Sequence, residues 1–408
     1  MRVITPEQLA RVYSGLSENP RVIASGNFAT PHVLLDALDQ QIAEYRLHLL
    51  NGQAGLPARP GVRYETAFIG IGMRGYPDLE YVPCRLSLLP VLFRDHYRPD
   101  VVLLHTSARH HDTVSLGTEV NVLPAAIEAA HANGGIVIAQ ANPQMPYTYG
   151  DAQLYENEID YLVEVDEPLP THPAGEISDV SMEIGARIAA VIEPGSTMQL
   201  GIGAVPDAVL TGLARHQGLR IWSEMFSDGV LGLERAGALA ADIPKTASFI
   251  FGSRELYDWV HMNRSIRMMR TEHVNDPAAI ARQAQMTSVN AALQVDLFDQ
   301  ANASRMNGRI FSGFGGATDF MVGALHSRGG RSFIALPSWH PKANVSTIVP
   351  RITEPVTSFQ HSAVATEHGI AQVFGRSQSE QATNIITQAA HPSQREYLTA
   401  QAKELNLL

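Results

Sequence analysis

Cysteine is almost missing from this chain: Cys84 is the single one in 408 residues. An intrachain disulfide is thereby excluded, and a reducing setting, the cytoplasm, is expected. Long apolar runs are missing too. No stretch approaches the roughly 18 apolar residues of a membrane span, and the opening MRVITPEQ has no apolar secretory core, so neither insertion nor export is expected. Positive charge is scarce. With 30 Lys+Arg against 41 Asp+Glu the net charge is −11, which excludes nucleic acid as a partner while leaving room for a local basic pocket that takes a phosphorylated ligand. Aromatic residues make up only 7%, which favours a small pocket, and no tract is low in complexity.

What remains is the composition of a folded enzyme body, 45% hydrophobic with 32 Gly and 24 Pro. A chain of this length exceeds what one core comfortably serves, so two domains are expected. In the first half, RVIASG (21–26), a helix over 30–39, YETAFIGIG (64–72), DVVLLHTS (100–107), the helical LPAAIEAAHAN and GGIVIAQAN (134–142) alternate. Strand, helix, strand is the grammar of a mainly parallel sheet. The Pro-dense PLPTHPAG (168–175) is the linker candidate, and the same grammar resumes beyond it with a helix over 177–192, TMQLGIG (197–203), a helix from Pro206, LRIWSE (219–224), ASFIFG (247–252), RSFIALPS (331–338) and STIVPRI (346–352). The expected fold class is therefore α/β, two open α/β domains of similar topology, at 1–175 and 176–408.

Three turns of the second half can carry chemistry. Gly201-Ile-Gly203-Ala-Val-Pro joins a strand to a helix, where exposed backbone N–H groups meet an anion or where glycine merely permits a tight turn. FSGFGGATDF (311–320) holds Gly313, Gly315 and Gly316, which allow close backbone approach, and Asp319, which can bond to amides of its own turn; packing against a helix is the alternative use. IWSEMFSDG (221–229) sets Glu224 at the end of a hydrophobic approach, and a carboxylate in such a place is either paired or used.

These segments, in this order, are where the chain resembles the acetyl-CoA hydrolase/transferase family, class I CoA-transferases, with the 4-hydroxybutyrate CoA-transferase branch nearest. Resemblance extends through VIAQANPQMPYTYGD (137–151), LGIGAVPDAVL (200–210), WSEMFSDGVLGL (222–233), FGSRELYDWV (251–260), VNDPAAIARQAQMTSVNAALQVDL (274–297), FSGFGGATDFMVGA (311–324) and TEHGIAQVFG (366–375), most of the chain. It implies an active site in a cleft between the domains, a homodimer, coenzyme A and acyl-CoA as substrates rather than a permanently bound cofactor, and a small carboxylic acid as partner substrate. The implied reaction moves CoA from a short acyl-CoA to the acid by a ping-pong route; hydrolysis of acyl-CoA on the same scaffold is the alternative.

Residue by residue, the resemblance makes Glu224 the covalent nucleophile. A carboxylate with a reference pKa of about 4.3 is ionised at pH 7 and attacks a thioester without a separate base. Attack on an acyl-CoA gives a mixed anhydride and releases CoA thiolate, which returns to Glu224 to give a glutamyl-CoA thioester. The Val205 N–H is implied as one oxyanion donor, and Asn302, in FDQANAS, matches an asparagine beside the carboxylate, with a solvent-facing turn as its alternative. Gly201, Gly203, Gly313, Gly315, Gly316 and Asp319 are implied in substrate binding. The family's second donor comes from a Lys-Gly-Gly segment where this chain has His340-Pro-Lys-Ala-Asn, so Ala343 takes that place beside Lys342, either reshaping the pocket or changing nothing. Lys342 or Arg109 could pair a second carboxylate of a dicarboxylic acid. His105, His110, His111 and Asp112 are ligand-type residues, but their segment corresponds to cleft lining and no metal site is expected. Acetyl, propionyl, butyryl, 4-hydroxybutyryl, succinyl and itaconyl groups all stay open.

Overall fold

The computed structural model describes residues 1–172, 175–201, 203–356 and 360–408. The chain forms two compact units, Met1–Pro173 with Pro244–Val274, and Ala174–Ile243 with Asn275–Leu408. A single cut near residue 175 therefore misplaces one segment. Residues 244–274 pack with the first unit because their backbone is taken up there: the N–H groups of Val120 and Asn121 both donate to Ser248 O at 3.0 Å, and Met268 N–H donates to Tyr149 O at 2.8 Å. Positions 173 and 174 of the expected linker lie outside the described residues.

The first unit is built on eight strands: β1 (Arg2–Val3), β2 (Arg21–Ala24), β3 (Tyr45–His48), β4 (Val62–Thr66), β5 (Leu79–Tyr81), β6 (Val101–Ser107), β7 (Ile136–Asn142) and β8 (Tyr161–Glu164). Their spatial order is β1-β8-β7-β6-β2-β3-β4-β5, and each pairing is parallel. β6, VVLLHTS, is buried along its whole length, as the unbroken apolar run of a strand covered on both faces requires. Helices α1 (His32–Gln41) and α2 (Leu123–Ala132) occupy the stretches read as helical. α2 has Pro124 in its first turn and ends at Asn133 before Gly134, whose φ of 72° suits a residue without a Cβ.

The second unit has its own sheet: β9 (Thr197–Leu200), β10 (Arg220–Ile221), β11 (Thr287–Ala291), β12 (Arg331–Ala335), β13 (Ala363–Thr366) and β14 (Gly369–Gln372), ordered β10-β9-β11-β12-β13-β14. The first five are parallel and β14 returns antiparallel at the edge. One consequence governs the chemistry below. The carboxyl ends of β9, β10, β12 and β13 all open on the same edge of this sheet, where open α/β sheets hold their ligands. Three helices matter there: α3 (Asp179–Ala189), α4 (Ala204–Gly212) and α5 (Ala317–His326). The strand read over 219–224 is shorter than expected and stops at Ile221, so Glu224 belongs to the loop that follows.

α3 and α4 touch through glycine. A Cβ at Gly185 would stand 2.5 Å from Ala208 C and 2.6 Å from Ala208 O, both backbone atoms that cannot swing aside. Alanine is the better helix former by roughly 1 kcal/mol, but overpacking a close helix pair costs about 1–3 kcal/mol. Gly185→Ala is therefore expected to destabilise the protein, lowering the urea midpoint with an unchanged slope; a rise in the midpoint would show that the helices part freely.

Candidate active site

Glu224 follows β10 directly. Trp222 N–H continues the ladder to Met198 O at 3.1 Å, and Ser223 Oγ stands 3.4 Å from both Leu200 N and Leu200 O. The serine thus fastens the loop carrying Glu224 to the end of β9, and a narrow cleft lined by Gly201, Leu210, Ser223 and Met225 joins the two. Beyond β9 the chain turns through Gly203, whose φ of 115° is comfortable only for glycine, into α4. Val205 is buried in the first turn of α4, where backbone N–H groups have no acceptor within the helix. Ile202 lies outside the described residues.

The carboxylate is held from two sides. Asn275 Nδ2 donates to Glu224 Oε2 at 2.9 Å, and Gly316 N–H donates to the same carboxylate. Gly316 caps α5, so Glu224 meets the positive end of a ten-residue helix. The approach is possible only without a side chain: a Cβ at position 316 would sit 1.7 Å from Glu224 Oε2 and 2.1 Å from Asn275 Nδ2. Gly315, with φ of 57°, makes the preceding turn, Gly313 is buried within it, and Asp319 is buried in the first turn of α5.

Burial pushes the Glu224 carboxyl up to about 7, and the negative charge of Asp319 pushes the same way, while the bonds from Asn275 and Gly316 pull it down. This corrects the expectation of a fully ionised carboxylate. Near neutrality the group is divided between its acid and its nucleophilic form, because two neutral donors do not make up for the lost water.

Several expected residues are placed otherwise. Asn302 is buried, but its amide serves its own turn: Nδ2 donates to Arg305 O at 2.8 Å, and Oδ1 accepts from Ser304 N–H at 3.2 Å and Arg305 N–H at 3.0 Å. A solvent-facing turn does not describe it. The asparagine on Glu224 is Asn275, which the sequence reading passed over inside VNDPAAI. Its signal was available, since Asp276 caps Ala278 N–H at 2.9 Å and Pro277 opens the helix, so the residue just before them is fixed to a rigid start. Ala343 and Lys342 are exposed between the paired strands Trp339–His340 and Val345–Ser346, and the Ala343 N–H is taken by His340 Nδ1 at 3.0 Å, so it offers no oxyanion donor as it stands. Arg109 is committed to Glu156. His105 is buried in β6 against Asn142 Nδ2 at 3.1 Å, and His110 and His111 are exposed in the loop that follows.

The fold of two α/β units is shared with a solved CoA-transferase. The structure of RipA from Yersinia pestis superposes over 100% of this chain and 98% of its own with a TM-score of 0.92 at 28% identity. A 4-hydroxybutyrate CoA-transferase from Porphyromonas gingivalis superposes over 99% and 98% with a TM-score of 0.83 at 29% identity. In sequence, the 4-hydroxybutyrate coenzyme A transferase of Clostridium kluyveri is 33% identical over 99% of this chain and 97% of its own length. The model of the acetyl-CoA hydrolase/transferase C-terminal domain matches residues 252–402. The chain belongs to the acetyl-CoA hydrolase/transferase family.

Asn275→Ala removes a bond that favours the ionised carboxylate. The group should then titrate at a higher pH, moving the acid limb of a kcat/KM profile upward, with catalysis weakened but the far-UV spectrum unchanged. An unmoved limb would mean that the contact does not bear on the ionisation of Glu224.

Proposed function

We propose that the protein is a CoA-transferase in which Glu224 carries CoA between a short acyl-CoA and a small carboxylic acid. The observation that supports this most directly is the carboxylate itself: it is gathered by Asn275 and Gly316 and raised toward neutrality by burial. A carboxylate with this weak stabilisation is a better nucleophile than one well solvated, provided it is deprotonated.

Ionised Glu224 attacks the thioester carbonyl; its C–S bond breaks, leaving an acyl-glutamyl anhydride and CoA thiolate. The thiolate attacks the glutamyl carbonyl and expels the free acid, giving a glutamyl-CoA thioester. The acceptor carboxylate attacks that thioester, thiolate leaves and returns to the acceptor's acyl carbon, and Glu224 is restored. Each addition places negative charge on a carbonyl oxygen. The N–H groups in the first turn of α4, Val205 among them, and that of Gly316 supply donors, and one such donor contributes roughly 100- to 1000-fold. Water in place of the acceptor acid would make the same site a hydrolase, an activity family membership allows. The lone cysteine fits a cytoplasmic enzyme, and family membership supports a homodimer.

Glu224→Gln should abolish transfer while leaving the fold intact, and incubation of the wild type with acyl-CoA alone should leave a CoA-sized mass adduct on the peptide containing position 224. An adduct on any other peptide removes Glu224 from the role assigned to it. Activity of the wild type should rise with pH through about 7 as the carboxyl ionises. Linkage gives the stability counterpart: the raised pKa favours folding below the ordinary carboxylate range and that advantage is lost as pH rises through 7. Glu224→Gln is therefore expected to melt above the wild type at pH 8, the gap closing toward pH 4.5. A gap that widened on acidification would contradict a raised pKa.

A further inference from the structure

Three strand steps along the sheet edge from β9 lies a second cluster that the reaction at Glu224 does not use. It grows from the carboxyl ends of β12 and β13. The Trp339 and His391 rings meet with centroids 5.2 Å apart, and His391 meets His368 at 5.4 Å. Glu367 beneath them is already satisfied: its carboxylate accepts from Ser338 N–H at 2.9 Å and from Ser338 Oγ, and stands 3.5 Å from His368 Nε2. Two arginines flank the rings, Arg187 donating through Nε to Glu367 O at 2.9 Å and Arg395 donating through Nε to Ala390 O at 3.2 Å. Both guanidinium groups are thus anchored by one nitrogen on a backbone carbonyl. The field of these cations is felt locally. The His368 imidazole is held below its ordinary value by burial first, and then by His391, Arg395 and Arg187 despite the opposing charge of Glu367. In a chain of net charge −11, a patch of partly exposed rings between fixed arginines is the local basic site that the composition left open.

We propose that Trp339, His391 and His368, with Arg187 and Arg395, dock the adenosine phosphate end of coenzyme A, and that its pantetheine arm runs from there along the sheet edge to Glu224. Rings of this kind stack on a purine, and guanidinium groups bind phosphate in a planar, paired geometry. Distance supports the same assignment. β13 is separated from β9 by three strand spacings, about 14 Å, and the pantetheine arm is as long as an extended peptide of four or five residues, roughly 15 Å. An anchor at β13 therefore delivers the sulfur to the end of β9, where Ser223 fastens the Glu224 loop.

This inference rests on the CoA reading, and the test separates the two. Adenosine 3′,5′-bisphosphate, which has no thioester, is titrated into the full-length protein by calorimetry, and KM and kcat for acetyl-CoA are measured for wild type, Arg187→Ala, Arg187→Lys and Trp339→Leu. Binding of the bisphosphate to the wild type, competitive with acetyl-CoA, is expected. Arg187→Ala should weaken both the bisphosphate and the acetyl-CoA KM by roughly tenfold, the effect of losing one charge-assisted contact, with kcat held within about twofold and partial rescue in Arg187→Lys. Trp339→Leu should weaken plain adenosine and the bisphosphate alike. If wild type turns over acetyl-CoA but bisphosphate affinity and KM are unmoved in both Arg187→Ala and Trp339→Leu, the docking site is elsewhere and the inference falls alone. If the wild type consumes no acyl-CoA of any chain length, the functional reading falls first.

Discussion

The candidate site depends on a contact that only a missing side chain permits. Helix α5 begins at Gly316, and the space a Cβ would fill there is occupied by the carboxylate of Glu224 and the amide of Asn275. Everything that makes the glutamate chemically unusual comes through that gap. The helix N-terminus approaches closely enough for Gly316 to donate, yet the same crowding removes the water that would otherwise stabilise the ionised form. Desolvation prevails over the two hydrogen bonds. A carboxyl moved from its ordinary value to about 7 has lost roughly 3 kcal/mol of preference for its charged form, and that is the loss left after both donors have contributed. Asp319, buried one turn into the same helix, adds its repulsion, so the helix that supplies the donor also supplies the opposing charge.

Sheet topology explains why residues more than a hundred positions apart in sequence can serve one reaction. Because β9 to β13 are parallel, every loop at their carboxyl ends emerges on one side, and the chain returns to that side five times. Gly201 and Glu224 come from neighbouring strands, the Trp339 hairpin and His368 from strands further along the same edge. A long, jointed substrate with a reactive sulfur at one end and phosphates at the other matches an edge organised in this way better than a single deep pocket would.

Much of this could be read from the chain itself, and the parts that could not share a reason. Continuous apolar runs such as VVLLHTS announced the parallel strands, and of the turn glycines Gly316 marked a close backbone approach while Gly203 marked a φ of 115° with open space around it. Glu224 stood out because a carboxylate after an apolar approach needs a justification. Asn275 and Asn302 did not separate in sequence, since both are asparagines beside short turns; only the fold shows that one amide is used up by Ser304 and Arg305 while the other reaches across to the glutamate. The segment 244–274 eluded a linear reading for the same reason. Its strands look like any others, and their assignment to the first unit depends on backbone partners such as Ser248 with Val120, which periodicity does not reveal. Ala343 failed because a backbone N–H is available only when nothing nearby takes it, and the ring of His340 does.

The balance at Glu224 bears on the choice between transfer and hydrolysis. Both outcomes require the glutamyl-CoA thioester to be attacked, by an acid's carboxylate in one case and by water in the other. Water as a nucleophile needs a base to accept its proton, and a carboxylate does not. Once Glu224 is esterified it can no longer serve as that base. Asp319 is the other carboxylate of this cluster, buried in the first turn of α5 and raising the pKa of Glu224 by its charge. Asn275, a neutral amide, cannot accept a proton at physiological pH. With Glu224 consumed, water would need Asp319 to take its proton, whereas an acceptor that arrives already ionised needs no base, and on that ground we propose transfer ahead of hydrolysis.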